Sequence, residues 1–198
     1  MMYKILALAF CLLLFTLLIG QMFGFEWAGG EGYDPHLRAE DTTTGNQFRR
    51  GETITTLHER QQIRIGEATI ISLDTDTTIT LVATTLGDVA IRLSRGRLLV
   101  TQTAKDGSFR LITNFHESHM ESGTAYFENN EERSVVSIVP LDGTTVEAFT
   151  KQDGATETVT RPVGIFEVNP VTRTEFDFEP FDSNPEFFHW TFETYIPG

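Results

Sequence analysis

Two histidines and two glutamates crowd the stretch His116-Glu117-Ser118-His119-Met120-Glu121. Imidazole and carboxylate are the side chains that hold zinc and move protons, so such a cluster raises the question of a metal or acid–base centre. The zinc-hydrolase motif needs its histidines four apart on a helix, with a glutamate between them, so that both rings reach one ion. Here the histidines are three apart, in a region of β character. On a strand His116 and His119 face opposite sides, and only His119 and Glu121 share one. Two ligands are too few, and His36, His58 and His189 add no readable third-ligand spacing.

The other candidates are weaker. "LDTDTT" (Leu73 to Thr78) opens like a calcium loop, but threonines follow where an EF-hand continues with Asp or Asn, then Gly. It reads as a turn. "RLSRGR" (Arg92 to Arg97) is the one local basic cluster and reads as a solvated turn rather than a phosphate site. No glycine-rich phosphate loop and no G-x-S-x-G elbow is present. The sequence therefore nominates no catalytic, cofactor-binding or metal residue, and no enzyme is expected.

Charge narrows the partners. The net charge is −13, and Lys4 is the only charged residue before Glu26. Of 15 Lys and Arg, 14 lie beyond that point, against all 28 Asp and Glu. Such a surface repels phosphate backbones, which excludes nucleic acid as the expected partner. The single cysteine, Cys11, permits no disulfide within one chain.

The elements that must position these residues begin with an uncharged run from Ile5 to Phe25, 21 residues long. About 20 apolar residues cross a bilayer as a helix. A cleavable signal peptide competes, but no good small-x-small site follows the apolar core. An uncleaved anchor is the favoured reading, with Tyr3 and Trp27 at its two ends. Lys4 on one flank and the acidic bulk on the other place the N-terminus in the cytosol and the rest outside. Residues 1–25 are thus expected as a transmembrane anchor or signal segment. Residues 26–47, rich in Gly, Asp and Thr, are expected as a tether.

From Glu52 onward the hydrophobic period is two. "ETITTL", "QQIRI", "ATIISL", "TTITLV", "DVAIRL", "RLLVTQ", "SFRLIT", "TAYFE", "SVVSIV", "TTVEAF" and "VGIFEV" are short, β-branched and often alternating. Gly87-Asp88, Asp106-Gly107, Asp142-Gly143 and Asp153-Gly154 separate several of them, and Asp-Gly suits tight hairpins. The pattern predicts an all-β domain of stacked short strands, solenoid- or sandwich-like, over residues 48–170. Residues 171–198 form an acidic-aromatic segment. Phe188, Trp190 and Phe192 share a face if it is extended, so it is expected as a last strand or strap packed on the domain.

The order of these pieces resembles the FecR domain of bacterial envelope proteins. The matching positions are Leu93, Gly96 and Val100; Phe109, Leu111 and Thr113; Gly123, Thr124, Tyr126 and Phe127; and Val136, Ile138, Gly143 and Val146. The resemblance covers about residues 48–150. It implies an extracytoplasmic all-β domain without catalytic residues, often tethered to the membrane. It also makes "SGTAYF" the family's Gly-Thr hairpin, with Gly123 in the turn and Phe127 returning to the core. The family's best-known members relay a signal from an outer-membrane receptor to a sigma factor. Only four residues precede the apolar run here, so no cytosolic sigma-binding region is expected. The expected function is a membrane-tethered, non-catalytic module that binds an envelope protein or a cell-surface polymer. The alternative is a sensory or regulatory subunit that signals through a separate partner.

Overall fold

The structure, a computed structural model, describes residues 37–85, 88–103, 107–152, 154–166 and 173–194. The anchor and its topology, and the turns at Gly87, Asp106 and Asp153, lie outside the described residues. No helix among the described residues is long and apolar enough to cross a membrane.

Among the described residues, fifteen strands form two sheets. Sheet A contains β1 (Ala39–Asp41), β2 (Gln47–Phe48), β4 (Gln61–Ile65), β5 (Thr69–Leu73), β10 (Gly123–Asn130), β11 (Val135–Leu141), β14 (Val163–Phe166) and β15 (Arg173–Glu175). Sheet B contains β3 (Thr53–Thr55), β6 (Thr78–Thr85), β8 (Ser108–Ile112), β9 (His116–Met120), β12 (Val146–Thr150) and β13 (Thr156–Val159). The long β7 (Asp88–Gln102) belongs to both. The order in sheet A is β2-β1-β4-β5-β7-β10-β11-β14-β15, and in sheet B β3-β6-β7-β8-β9-β12-β13. All described pairings are antiparallel except β7–β8. This is a sandwich, not a solenoid.

Alternation explains the packing. Ile63, Ile71, Leu98, Val100, Phe127 and Ile138 of sheet A meet Ile79, Leu81, Ile91, Leu93, Phe109 and Leu111 of sheet B in one buried core. Phe109 and Phe127 pack across it with ring centres 6.2 Å apart. Each fully buried aliphatic or aromatic side chain of this kind contributes roughly 1.5–3 kcal/mol relative to exposure. The intervening residues face outward. Thr53 and Thr55 on β3 hydrogen-bond Thr80 and Thr78 on β6, so threonines on the strand surface pair across the ladder.

The "RLSRGR" segment is not a turn between two strands but the bend of β7. Residues 88–95 pair with β6 in sheet B, while Leu98–Gln102 pair with β5 in sheet A. A register shift opposite Thr78/Ile79 marks a bulge, and Gly96 takes φ +94°. Bulges and bends of this kind let one strand serve two packed sheets. Asn129 Nδ2 donates to the carbonyls of Leu93 (3.1 Å) and Ser94 (2.8 Å). Thr77 Oγ1 accepts from Arg97 N–H and donates to Arg97 C=O, each at 3.0 Å. The backbone groups freed by the bend are thereby satisfied.

Three further expectations need correction. The tether does not extend to residue 47: Ala39 is fully buried and pairs with Ile65, so the ordered sheet starts well before Phe48. Asp142 (φ 51°) and Gly143 (φ 76°) do make a tight turn, closed by Thr144 N–H to Leu141 C=O. It carries the chain from β11 in sheet A to β12 in sheet B instead of forming a hairpin. The C-terminal segment packs onto the domain as expected, but as helices: α1 (Pro180–Ser183) and α2 (Pro185–Thr194).

Candidate functional site

Strand alternation sends His116 and His119 to opposite faces, as their spacing predicts. His116 is buried on the inner face with Ser118 and Met120. His119 stands on the outer face of sheet B, its Nδ1 3.8 Å from a carboxylate oxygen of Glu147. Glu121 is exposed beside it, lining a shallow cleft with Ser122, Gly143, Thr144 and Glu147. His58 and His189 are exposed elsewhere. Among the described residues, no group of three His, Cys, Asp or Glu side chains is placed to hold a metal. His36 lies outside the described residues.

Gly123 opens β10 at φ +112°. A Cβ there would overlap Thr144 Oγ1, the atom that accepts the Thr124 N–H at 2.8 Å. Phe127 is fully buried. The "SGTAYF" stretch is therefore the start of a core strand whose glycine lets the following turn approach closely.

The outer face of sheet B carries a charged ladder. Arg110 Nε and Nη2 donate to both oxygens of Asp88, at 3.0 and 2.7 Å, and Nη1 donates to Glu117 at 3.1 Å. Hydrogen bonds from Arg110 hold the Asp88 carboxyl below its usual range against the opposing effect of burial, with help from the arginine's charge. A carboxyl whose folded pKa is depressed stabilises the fold above its unfolded pKa and loses that stabilisation as pH falls through the folded value. The unfolded reference is 3.8, so the loss falls below about pH 4. Urea titrations across that range should show Asp88→Asn flattening the acid limb of the stability profile. An unchanged acid limb would mean the pair contributes nothing.

The outer face of sheet A differs in kind. Leu99, Tyr126 and Val139 are apolar there, and Phe187 and Phe188 of α2 cover them completely. Phe176, Phe178, Trp190 and Leu141 close the margin of this second core. Tyr126 stacks on Phe178 at 5.2 Å, and burial drives its hydroxyl pKa up. A polar latch borders this cover. The Asp74 carboxylate, only 2% exposed, accepts from Arg60 Nε (3.0 Å), Arg97 Nη2 (3.1 Å) and Asn184 Nδ2 (2.9 Å). Arg60 also reaches Glu186 at 3.3 Å. The "LDTDTT" turn thus holds the C-terminal segment through Asp74 and the β7 bend through Thr77. The exposed Asp76 (φ 54°) takes the turn conformation.

A two-sheet all-β sandwich with a strand bent over both layers is the class these features define. Residues 52–144 match the family model described as FecR protein. That stretch is similar to a FecR domain. Two crystal structures, at 2.50 and 1.65 Å resolution, share the fold with a TM-score of 0.56 each. Both are described as an anti-sigma factor of Parabacteroides distasonis, at 12% and 11% identity. The similarity covers 67% of this chain and 62% of each of those chains. No curated protein matches the chain. The family match ends at Thr144, so the aromatic cover of sheet A comes from sequence beyond it.

Proposed function

We propose that this chain is a non-catalytic regulatory module of FecR type, a sensory subunit that acts by binding and passes its signal through a separate partner. The observation that carries the reading is the FecR match over the sandwich core. The fold shared with an anti-sigma factor supports it, and the acidic surface suits a protein partner rather than nucleic acid. The apolar run from Ile5 to Phe25 is taken to hold the domain outside the cytoplasmic membrane, with the N-terminus in the cytosol.

Two measurements test this. Deleting the chain is expected to change transcription of a confined set of genes that share one alternative sigma factor's promoter. A diffuse or absent response would refute the regulatory reading and favour a purely adhesive module for an envelope protein or polymer. Alkaline phosphatase fused after Gly198 is expected to be active, since that enzyme needs an oxidising compartment. Activity only from a cytosolic reporter would refute the topology.

A further inference from the structure

We infer that the outer edge of β13 is the docking site, where a partner adds an extended basic segment of its own chain as a further strand of sheet B. This rests on the binding reading above and specifies the place, the mode and the chemistry of the contact.

Strand β13 ends sheet B, paired on one side only with β12 among the described residues. The Thr150 N–H to Ala155 C=O bond sets the phase of that ladder. In an antiparallel pair the bonded positions alternate, so Glu157 and Val159 turn their backbone groups to β12. Thr156 and Thr158 turn theirs outward, and their side chains are exposed. Natural edges are blunted by short length, proline, lysine or bulges. In sheet A the edges are β2, with two residues, and β15, with three. The other edge of sheet B, β3, is three residues long and flanked by Arg49 and Arg50 on one side and His58 and Glu59 on the other. Strand β13 has four residues, Thr-Glu-Thr-Val, without proline or lysine, and an open groove runs beside it.

That groove gives the occupant its character. It is lined by Glu157, Thr158, Val159, Arg161, Val163 and Glu175. Glu175 on the groove wall and the acidic surface of the chain favour a basic segment. The chain's net charge of −13 disfavours a second copy as the occupant. Strand addition draws affinity from main-chain hydrogen bonds and specificity from alternate side chains, which matches a bare edge beside a two-sided groove.

The test uses the purified full chain and a capped peptide of about six residues alternating lysine and valine, the length of an ordinary strand. Bound peptide should slow amide exchange at Thr156 and Thr158 by more than about tenfold, because those groups gain partners. A peptide N-methylated at alternate amides should not bind. Thr158→Pro removes the outward donor, and Thr158→Lys places a like charge on the edge while leaving the backbone intact. Each should weaken binding at least about tenfold, the effect of losing about 1.4 kcal/mol. Equal binding by both variants, protection at Thr53 and Thr55 instead, or concentration-dependent protection without peptide, which signals self-pairing, would overturn the inference. Peptide binding without any transcriptional role would leave the edge standing and remove the regulatory reading. A normal transcriptional response in both variants would do the reverse.

Discussion

Phe188→Ala should cost about 3–5 kcal/mol of unfolding free energy, the range for truncating a fully buried aromatic ring. Phe188 is wholly inaccessible and meets Tyr126, Phe187 and Phe178 at ring-centre distances of 5.5, 5.6 and 5.9 Å. Its loss removes the middle of the cover over sheet A. The helix cannot compensate, because ten residues rich in aromatic and β-branched types are too few to be helical alone. Two outcomes can be told apart. If the sandwich survives and only the cover lifts, Tyr126 regains water and titrates near the ordinary value of about 10, from well above it. If the layers are one cooperative unit, the whole transition shifts in urea with no separate tyrosine step. Phe192→Ala is the internal control. That ring is 51% exposed and stacks on Phe188 from outside at 6.4 Å, so its removal should cost only about 1 kcal/mol. Similar losses from both variants would contradict the burial argument.

The same helix is poorly written in the local sequence pattern. Phe188, Trp190 and Phe192 alternate, so their spacing satisfies period two and predicts a last strand or strap. The buried set is Phe187, Phe188 and Thr191, which is a helical stripe. A start signal was present in "NPE". Asn184 Oδ1 accepts the Phe187 N–H at 3.4 Å, Pro185 occupies the first helical position, and Glu186 follows. Strands were legible because each inward face is written locally, as in Val89, Ile91 and Leu93. The Asp74 latch was not, because Asn184 lies 110 residues from its partner and no local pattern encodes such a meeting. The hairpin β1–β2 was hidden by composition. Its loop is built by Asp41, whose Oδ1 accepts from the Thr43 N–H at 2.8 Å, and by Gly45 at φ +71°. Thr-rich and Gly-rich segments read as linkers when the turn chemistry is overlooked. At the histidines the sequence was sufficient, since a spacing of three on a strand already separates the rings.

The bend of β7 should tolerate little change, and Gly96→Ala tests it. The residue sits at φ +94°, a conformation that L side chains rarely adopt. A Cβ there would stand 2.5 Å from Thr77 Oγ1, 2.6 Å from Thr77 Cα and 2.8 Å from the Asp76 carbonyl oxygen. Two of those neighbours are backbone and cannot rotate away. The turn they belong to also holds Asp74, so relief by moving it would pull the carboxylate from Arg60 and Arg97. Left-handed backbone costs a residue with a side chain about 1–2 kcal/mol, and overpacking typically adds about 1–3 kcal/mol. A loss of about 2–5 kcal/mol is therefore expected, enough to threaten a domain of ordinary stability. Gly143→Ala separates the two causes. It has a comparable positive φ of +76°, yet nothing lies within 4 Å of its added Cβ, so only the backbone part should remain. Thermal or urea unfolding of both variants measures the difference. If Gly96→Ala proves no worse than Gly143→Ala, the close approach of "LDTDTT" to the bend does not hold the two sheets together, and the corner must be supported chiefly by the Asn129 side chain.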